Sequence, residues 1–113
     1  MNQLRQRLLE LHHTLVEVER QGYERTRGRL SDNDFLKALI EDPVFAWLKP
    51  LTALIVRLDE VEAEHPPPEL RAEIRQLLKP DDLGLAFQRR YHELLQRSPD
   101  ALVAHGALMA LLR

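Results

Sequence analysis

Two side-chain spacings in this chain could carry chemistry. The first is Glu-x-x-His, present at Glu10 with His13 and again at Glu62 with His65. On a helix this spacing sets a carboxylate and an imidazole on one face. Two such motifs, joined by two further inward glutamates, hold a pair of iron or manganese ions inside a helical bundle. The second is the run from Arg20 to Arg29, RQGYERTRGR, in which Arg20, Arg25, Arg27 and Arg29 surround Tyr23. Arginine forks grip phosphate groups and a tyrosine ring stacks on a base, so this run is a candidate anionic-ligand or nucleic-acid patch.

Each spacing has a plainer rival. Leu4, Leu8, Leu11 and Leu15 define the apolar stripe of the first helix, and Glu10 and His13 point largely away from it. Glu62 and His65 fall at a helix end beside Pro66, Pro67 and Pro68. With eleven glutamates and five histidines in the chain, two chance matches are unsurprising, and surface placement is the expectation for all four residues. His12 and His13 are adjacent, so their rings diverge on a helix. His105 lies among small residues and reads as a core or interface histidine bonded to a carbonyl, and His92 as a helix edge. In the arginine run, Glu19 and Glu24 dilute the charge. Asp59, Glu60, Glu62 and Glu64 close another helix, so charge pairing between a helix end and its neighbour, or a partner subunit, is preferred. Catalysis has little to stand on. There are only four glycines and no phosphate-cradling loop, and Ser31 and Ser98 are both explained as helix caps. The expectation is no cofactor and, on balance, no enzyme activity.

Composition narrows the class further. A chain of 113 residues suits one domain, residues 1–113, with a core that needs no disulfide or metal. There is no cysteine, which removes disulfides and thiolate sites together and fits a reducing compartment. The net charge of -2 makes a general nucleic-acid binder unlikely. No signal peptide and no apolar run of about 20 residues is visible, so the expected setting is cytoplasmic and away from membranes.

The elements follow from periodicity and breakers. Leu4, Leu8, Leu11, Leu15 and Val18 predict a first helix to about Arg27, widened by Leu9, Val16 and Tyr23, with Gly28 as its stop. Gly22 interrupts the stripe and marks a close contact or a weak point. Ser31 caps a short helix carrying Phe35, Leu36, Leu39 and Ile40, which ends before Pro43. Asp42-Pro43 starts the central stretch. There Val44, Trp47, Leu51, Leu54, Leu58 and Val61 form one stripe, with Leu48 and Ile55 beside it. Pro50 inside this pattern predicts a kink, or else two helices with 43–48 as a single turn. Pro68 opens the next helix, Asp81 or Asp82 caps another with Leu83, Phe87, Tyr91, Leu94 and Leu95 inward, and Ser98-Pro99 starts the last. In that last helix Ala101, Ala104, Ala107 and Ala110 form a row of small residues opposite Leu102, Met109 and Leu112. No strand pattern competes.

At DPVFAWLKPLTALIVRLDE and RRYHELLQRSPDALVAHGAL the chain resembles small all-helical bacterial proteins of unknown function. The resemblance implies an all-helical bacterial cytoplasmic protein and brings no reaction or functional residues. The expectation is an all-α, single-domain helical bundle of about five or six helices around a central kinked helix, 43–64. Its broad apolar stripes suggest a non-catalytic protein–protein interaction or adaptor module with a protein partner or a homodimer. A metal-binding bundle and anionic-ligand binding through Arg20–Arg29 are the alternatives.

Overall fold

The protein is an all-α bundle, seen in a computed structural model that describes residues 3–61, 66–79, 81 and 83–112. Among the described residues six α-helices are joined by turns and one 3-10 segment: α1 (Gln3–Arg27), α2 (Asp32–Glu41), the 3-10 segment (Pro43–Leu48), α3 (Lys49–Glu60), α4 (Pro68–Leu77), α5 (Ala86–Arg97) and α6 (Pro99–Leu112). Among the described residues no helix is long and apolar enough to cross a membrane.

The stripe of α1 is the spine. Leu8, Leu11 and Leu15 are fully buried and Leu4 nearly so, while Leu9, counted among the widening residues, faces solvent. Each such leucine contributes about 1.5–3 kcal/mol of transfer free energy. The stripe packs most extensively on α6 and next on α3. The three elements share one apolar cluster with Leu70, Ile74, Phe87, Tyr91 and Leu94 from α4 and α5.

The α1–α2 corner is pinned by polar groups. Gly28 takes the left-handed conformation expected of a helix stop, with φ 84°, and its N–H reaches Glu24 O at 2.8 Å. The Glu24 carboxylate accepts from Leu30 N at 2.7 Å, and Arg20 donates to Leu30 O at 2.8 Å. Ser31 then caps α2 by accepting from Asp34 N at 3.1 Å.

The central stretch resolves into two helical segments without leaving helical dihedrals. Lys49 N bonds Ala46 O, a 3-10 contact, and Pro50 falls in the first turn of α3, where its missing N–H leaves no carbonyl wanting. The tighter winding, three residues per turn, changes which side chains go inward. Phe45, Leu48 and Leu51 line up at spacing three and are buried, whereas Val44, placed on the stripe by a 3.6-residue period, is 51% exposed. The stripe is described to its end at Val61, where α3 has already stopped at Glu60; residues 62–65 lie outside the described residues.

Two further expectations are corrected, and a third narrows. Helix α5 begins at Ala86, not at Asp81, which accepts from Leu83 N at 2.9 Å and closes a local turn instead of a helix cap; Asp82, the other expected cap, lies outside the described residues. Leu83 is consequently exposed. Gln88, buried, holds this start in place: it accepts from Leu85 N at 2.9 Å and donates to Gln76 O at 2.8 Å. The alanines of α6 do not form one contact row. A spacing of three drifts around a helix of 3.6 residues per turn, so Ala101 is buried while Ala110 is exposed, and the inward line is Ala101, Leu108 and Leu112. Of the two readings of Gly22, the close contact is absent, since nothing lies within 4 Å of a Cβ placed there, and a helix-interior glycine in open space fits the weak point. At the far end, Arg71 and Arg75 of α4 donate to the carbonyls of Leu111 and Leu112, groups that a helix C-terminus otherwise leaves unpaired.

The two glycines of α1 and its stop are expected to respond oppositely. Gly28→Ala forces a side chain into the left-handed region and lowers the unfolding free energy by about 1–2 kcal/mol. Gly22→Ala, in open space within a helix, raises it by about 1 kcal/mol. Urea midpoints with unchanged slopes would check both.

Candidate functional site

An apolar concavity follows from the chain's turn at Pro43. Glu41 ends α2, Asp42 is extended, and the 3-10 segment departs at once, so α2 and α3 diverge on either side of it. Between them lies an apolar groove of about 690 Å³. Leu39 and Ile40 come from α2, Phe45 and Ala46 from the 3-10 segment, and Ala53 and Val56 from α3. The small side chains Ala46 and Ala53 keep it open, and Ile40 is 71% exposed.

Polar groups fix its shape. The Asp42 carboxylate accepts from Val44 N at 3.0 Å and from the Tyr23 hydroxyl at 2.7 Å. Those bonds hold its carboxyl below the ordinary value of 3.8 and push the Tyr23 phenol up. The Tyr23 ring also packs on Phe45, with centroids 5.0 Å apart. At the other end His12 Nε2 lies 3.3 Å from the Thr52 hydroxyl. Burial first, and then neighbouring His13, hold the His12 imidazole below its ordinary value of 6.5. Glu41 and Lys49, both exposed, stand on the rim.

The residues singled out for chemistry scatter. Glu10 is exposed and pairs with Arg7 at 3.1 Å. His13 is exposed and borders a different, polar cleft of about 470 Å³, together with Arg25 and Arg97. Glu17 and Asp100 line the same cleft, so its fixed charges nearly cancel. Among the described residues no three His, Asp or Glu side chains gather where a metal ion could sit. Glu62 and His65 lie outside the described residues. Within the arginine run, Arg20 is committed to Asp32, Glu24 and Leu30 O, with its guanidinium 4.7 Å from the Phe35 ring. Tyr23 is held by Asp42, and Arg27 lies over the Tyr23 ring at 4.0 Å. Arg25 and Arg29 are exposed. The charge partners of this run are local. The acidic end of α3 looks elsewhere, with Asp59 paired to Arg5.

Two polar constellations escaped the sequence reading. Glu19, only 7% exposed, accepts from Trp47 Nε1 at 2.9 Å and from Arg90 at 2.6 Å. The signal was its position four residues after Leu15, on the inward line of α1. His105 Nδ1 lies 2.7 Å from the Tyr91 hydroxyl, not on a carbonyl as expected. Burial holds its imidazole below 6.5, and burial raises the Tyr91 phenol far above its ordinary value.

Removing the Glu19 carboxylate strands two donors. Glu19→Ala is expected to cost about 2 kcal/mol, short of a fully buried pair because Arg90 keeps Glu93 and some water. The emission of Trp47, the only tryptophan, should shift in the folded state and report the midpoint. Acid acts through the histidines. His12 and His105 bind protons more weakly folded than unfolded, so their contribution to stability is full above 6.5. It declines as pH falls through 6.5 towards their lower folded values. The double change His12→Gln, His105→Gln should flatten the stability curve across that window.

Compared with protein-family models, with curated proteins and with solved structures, the chain matches none.

Proposed function

We propose that this chain is a non-catalytic protein-interaction module that receives an amphipathic helix of a partner protein in the groove between α2 and α3. The observation that carries the reading is the groove itself: about 690 Å³, apolar along its length, with Ile40 and Val56 left standing in water at its edges. Side chains of that kind usually gain by being covered, at roughly 25 cal/mol per Å².

The shape and charge favour a helix as occupant. The walls are helices of 10 and 12 residues, roughly 15–18 Å long, which matches about three turns of a guest. Small residues at Ala46 and Ala53 admit a guest's larger anchors at positions i, i+3 or i+4, and i+7. Glu41 on the α2 side and Lys49 on the α3 side call for a guest with a basic residue along one edge and an acidic residue along the other. The Arg20–Arg29 run competes poorly as a ligand site, because Arg20 and Tyr23 already serve the α1–α2 and α2–3-10 corners. A cytoplasmic, bacterial setting belongs to the same proposal, supported by the cysteine-free sequence.

A photo-crosslinking amino acid at position 40, used in cells, tests this. The expected products join position 40 to residues three and four apart on one helix of another protein, and Val56→Asp removes them. Crosslinks confined to copies of this chain would replace the partner with a homodimer. Absence of protein crosslinks, with the fold intact by circular dichroism, would overturn the proposal.

A further inference from the structure

The interior holds a continuous line of rings that the groove does not use. Trp47 packs on Phe87 with centroids 5.4 Å apart, Phe87 stacks on Tyr91 at 5.4 Å with planes 27° apart, and Tyr91 meets His105 at 5.5 Å. Its outer end is half-buried Trp47, with the indole N–H on Glu19. Its inner end is Tyr91, with no exposed surface and its hydroxyl 2.7 Å from His105 Nδ1.

We propose that Tyr91 is a redox-active tyrosine, reached from the surface through Trp47 and Phe87, that gives up its phenolic proton to His105 when it is oxidised. Tryptophan and tyrosine are the side chains, cysteine apart, that yield an electron most readily, and the chain has no cysteine to intercept the charge. A phenol releases an electron far more readily when a base removes its proton in the same step. His105 is such a base when its imidazole is neutral with the proton on Nε2, leaving a lone pair at Nδ1. Its burial favours that neutral form.

The step balances as follows. A diffusible one-electron oxidant, of the class of the carbonate radical anion, takes one electron from the Trp47 indole and is reduced. The indole radical cation keeps its Nε1 proton in the bond to Glu19. Tyr91 then returns one electron to Trp47 across the Phe87 ring, and the Tyr91 proton moves to His105 Nδ1. The net products are the reduced oxidant, a neutral Tyr91 phenoxyl radical and a His105 imidazolium, with Trp47 restored. The other tyrosine also has a proton acceptor, since Tyr23 donates to Asp42 at 2.7 Å, but its ring contacts run to Phe45 and on to Phe35, away from the Trp47–Phe87 line. Tyr23 carries the Arg27 guanidinium 4.0 Å from its ring centroid, and a cation there opposes loss of an electron. The enclosure of Tyr91 keeps water and second radicals from the product.

Photogenerated ruthenium(III) tris-bipyridine, mixed with the full chain, supplies the oxidant for a test read by transient absorption and EPR. The expected result is a neutral phenoxyl radical that persists in Tyr23→Phe. In Tyr91→Phe the phenoxyl signal disappears and an indole radical remains. His105→Phe and His105→Gln slow phenoxyl formation at least about tenfold and abolish its solvent deuterium isotope effect, a change that a packing role alone would not produce. Trp47→Phe slows it comparably. Circular dichroism identifies which His105 variant is folded and so decides which is read. A wild-type radical on Tyr23 or held at Trp47, or formation in the folded His105 variant at the wild-type rate, would overturn the proposal.

Discussion

A single buried carboxylate gathers the bundle. Glu19 sits on the inward face of α1, where an apolar residue would be simpler, and takes hydrogen bonds from Trp47 of the 3-10 segment and Arg90 of α5. These partners are 28 and 71 residues away along the chain. An ionised group so placed is tolerable only if both donors are present, because a lone buried charge loses several kcal/mol of hydration. The three elements therefore satisfy one another at this carboxylate, and the net stability such a junction adds is modest.

That junction sets the position of everything nearby. Holding Trp47 fixes the 3-10 segment, which in turn fixes the angle at which α3 leaves α2 and so the width of the groove. It also presses the indole against Phe87, the first contact of the ring line to Tyr91. The opposite side of the groove is tied by Tyr23 to Asp42. Both surface and interior features thus depend on polar groups carried by side chains of α1, the Glu19 carboxylate and the Tyr23 hydroxyl.

The fold was largely legible because its signals are local. The Leu4–Leu15 stripe, Gly28, Ser31, Asp42-Pro43, Pro68 and Ser98 each act within a few residues, and each helix they announced is present. What failed was phase and partnership. Val44 and Leu51 could be set on one stripe only by assuming a uniform 3.6-residue period, and the 3-10 segment broke that assumption. Asp81 looked like a helix cap because its alternative, a turn closed on Leu83 N, uses the same carboxylate chemistry. Tyr91 and His105 were placed inward and Glu19 falls on the inward line of α1, but their partners lie 14, 28 and 71 residues along the chain, and spacing does not report contacts at such separation. The groove was legible only as surplus hydrophobicity in 44–61; its location depended on where α2 turned away.

The packing of α1 against α6 has a consequence for synthesis. The spine helix is made first among the described elements, and its most extensive neighbour is made last. While the chain is being translated, the leucines of α1 have no α6 to cover them. Until α6 has been made, that stripe is covered in part, by α3. The α1–α6 packing is therefore a long-range contact, of the kind that forms slowly and leaves apolar surface exposed until it closes.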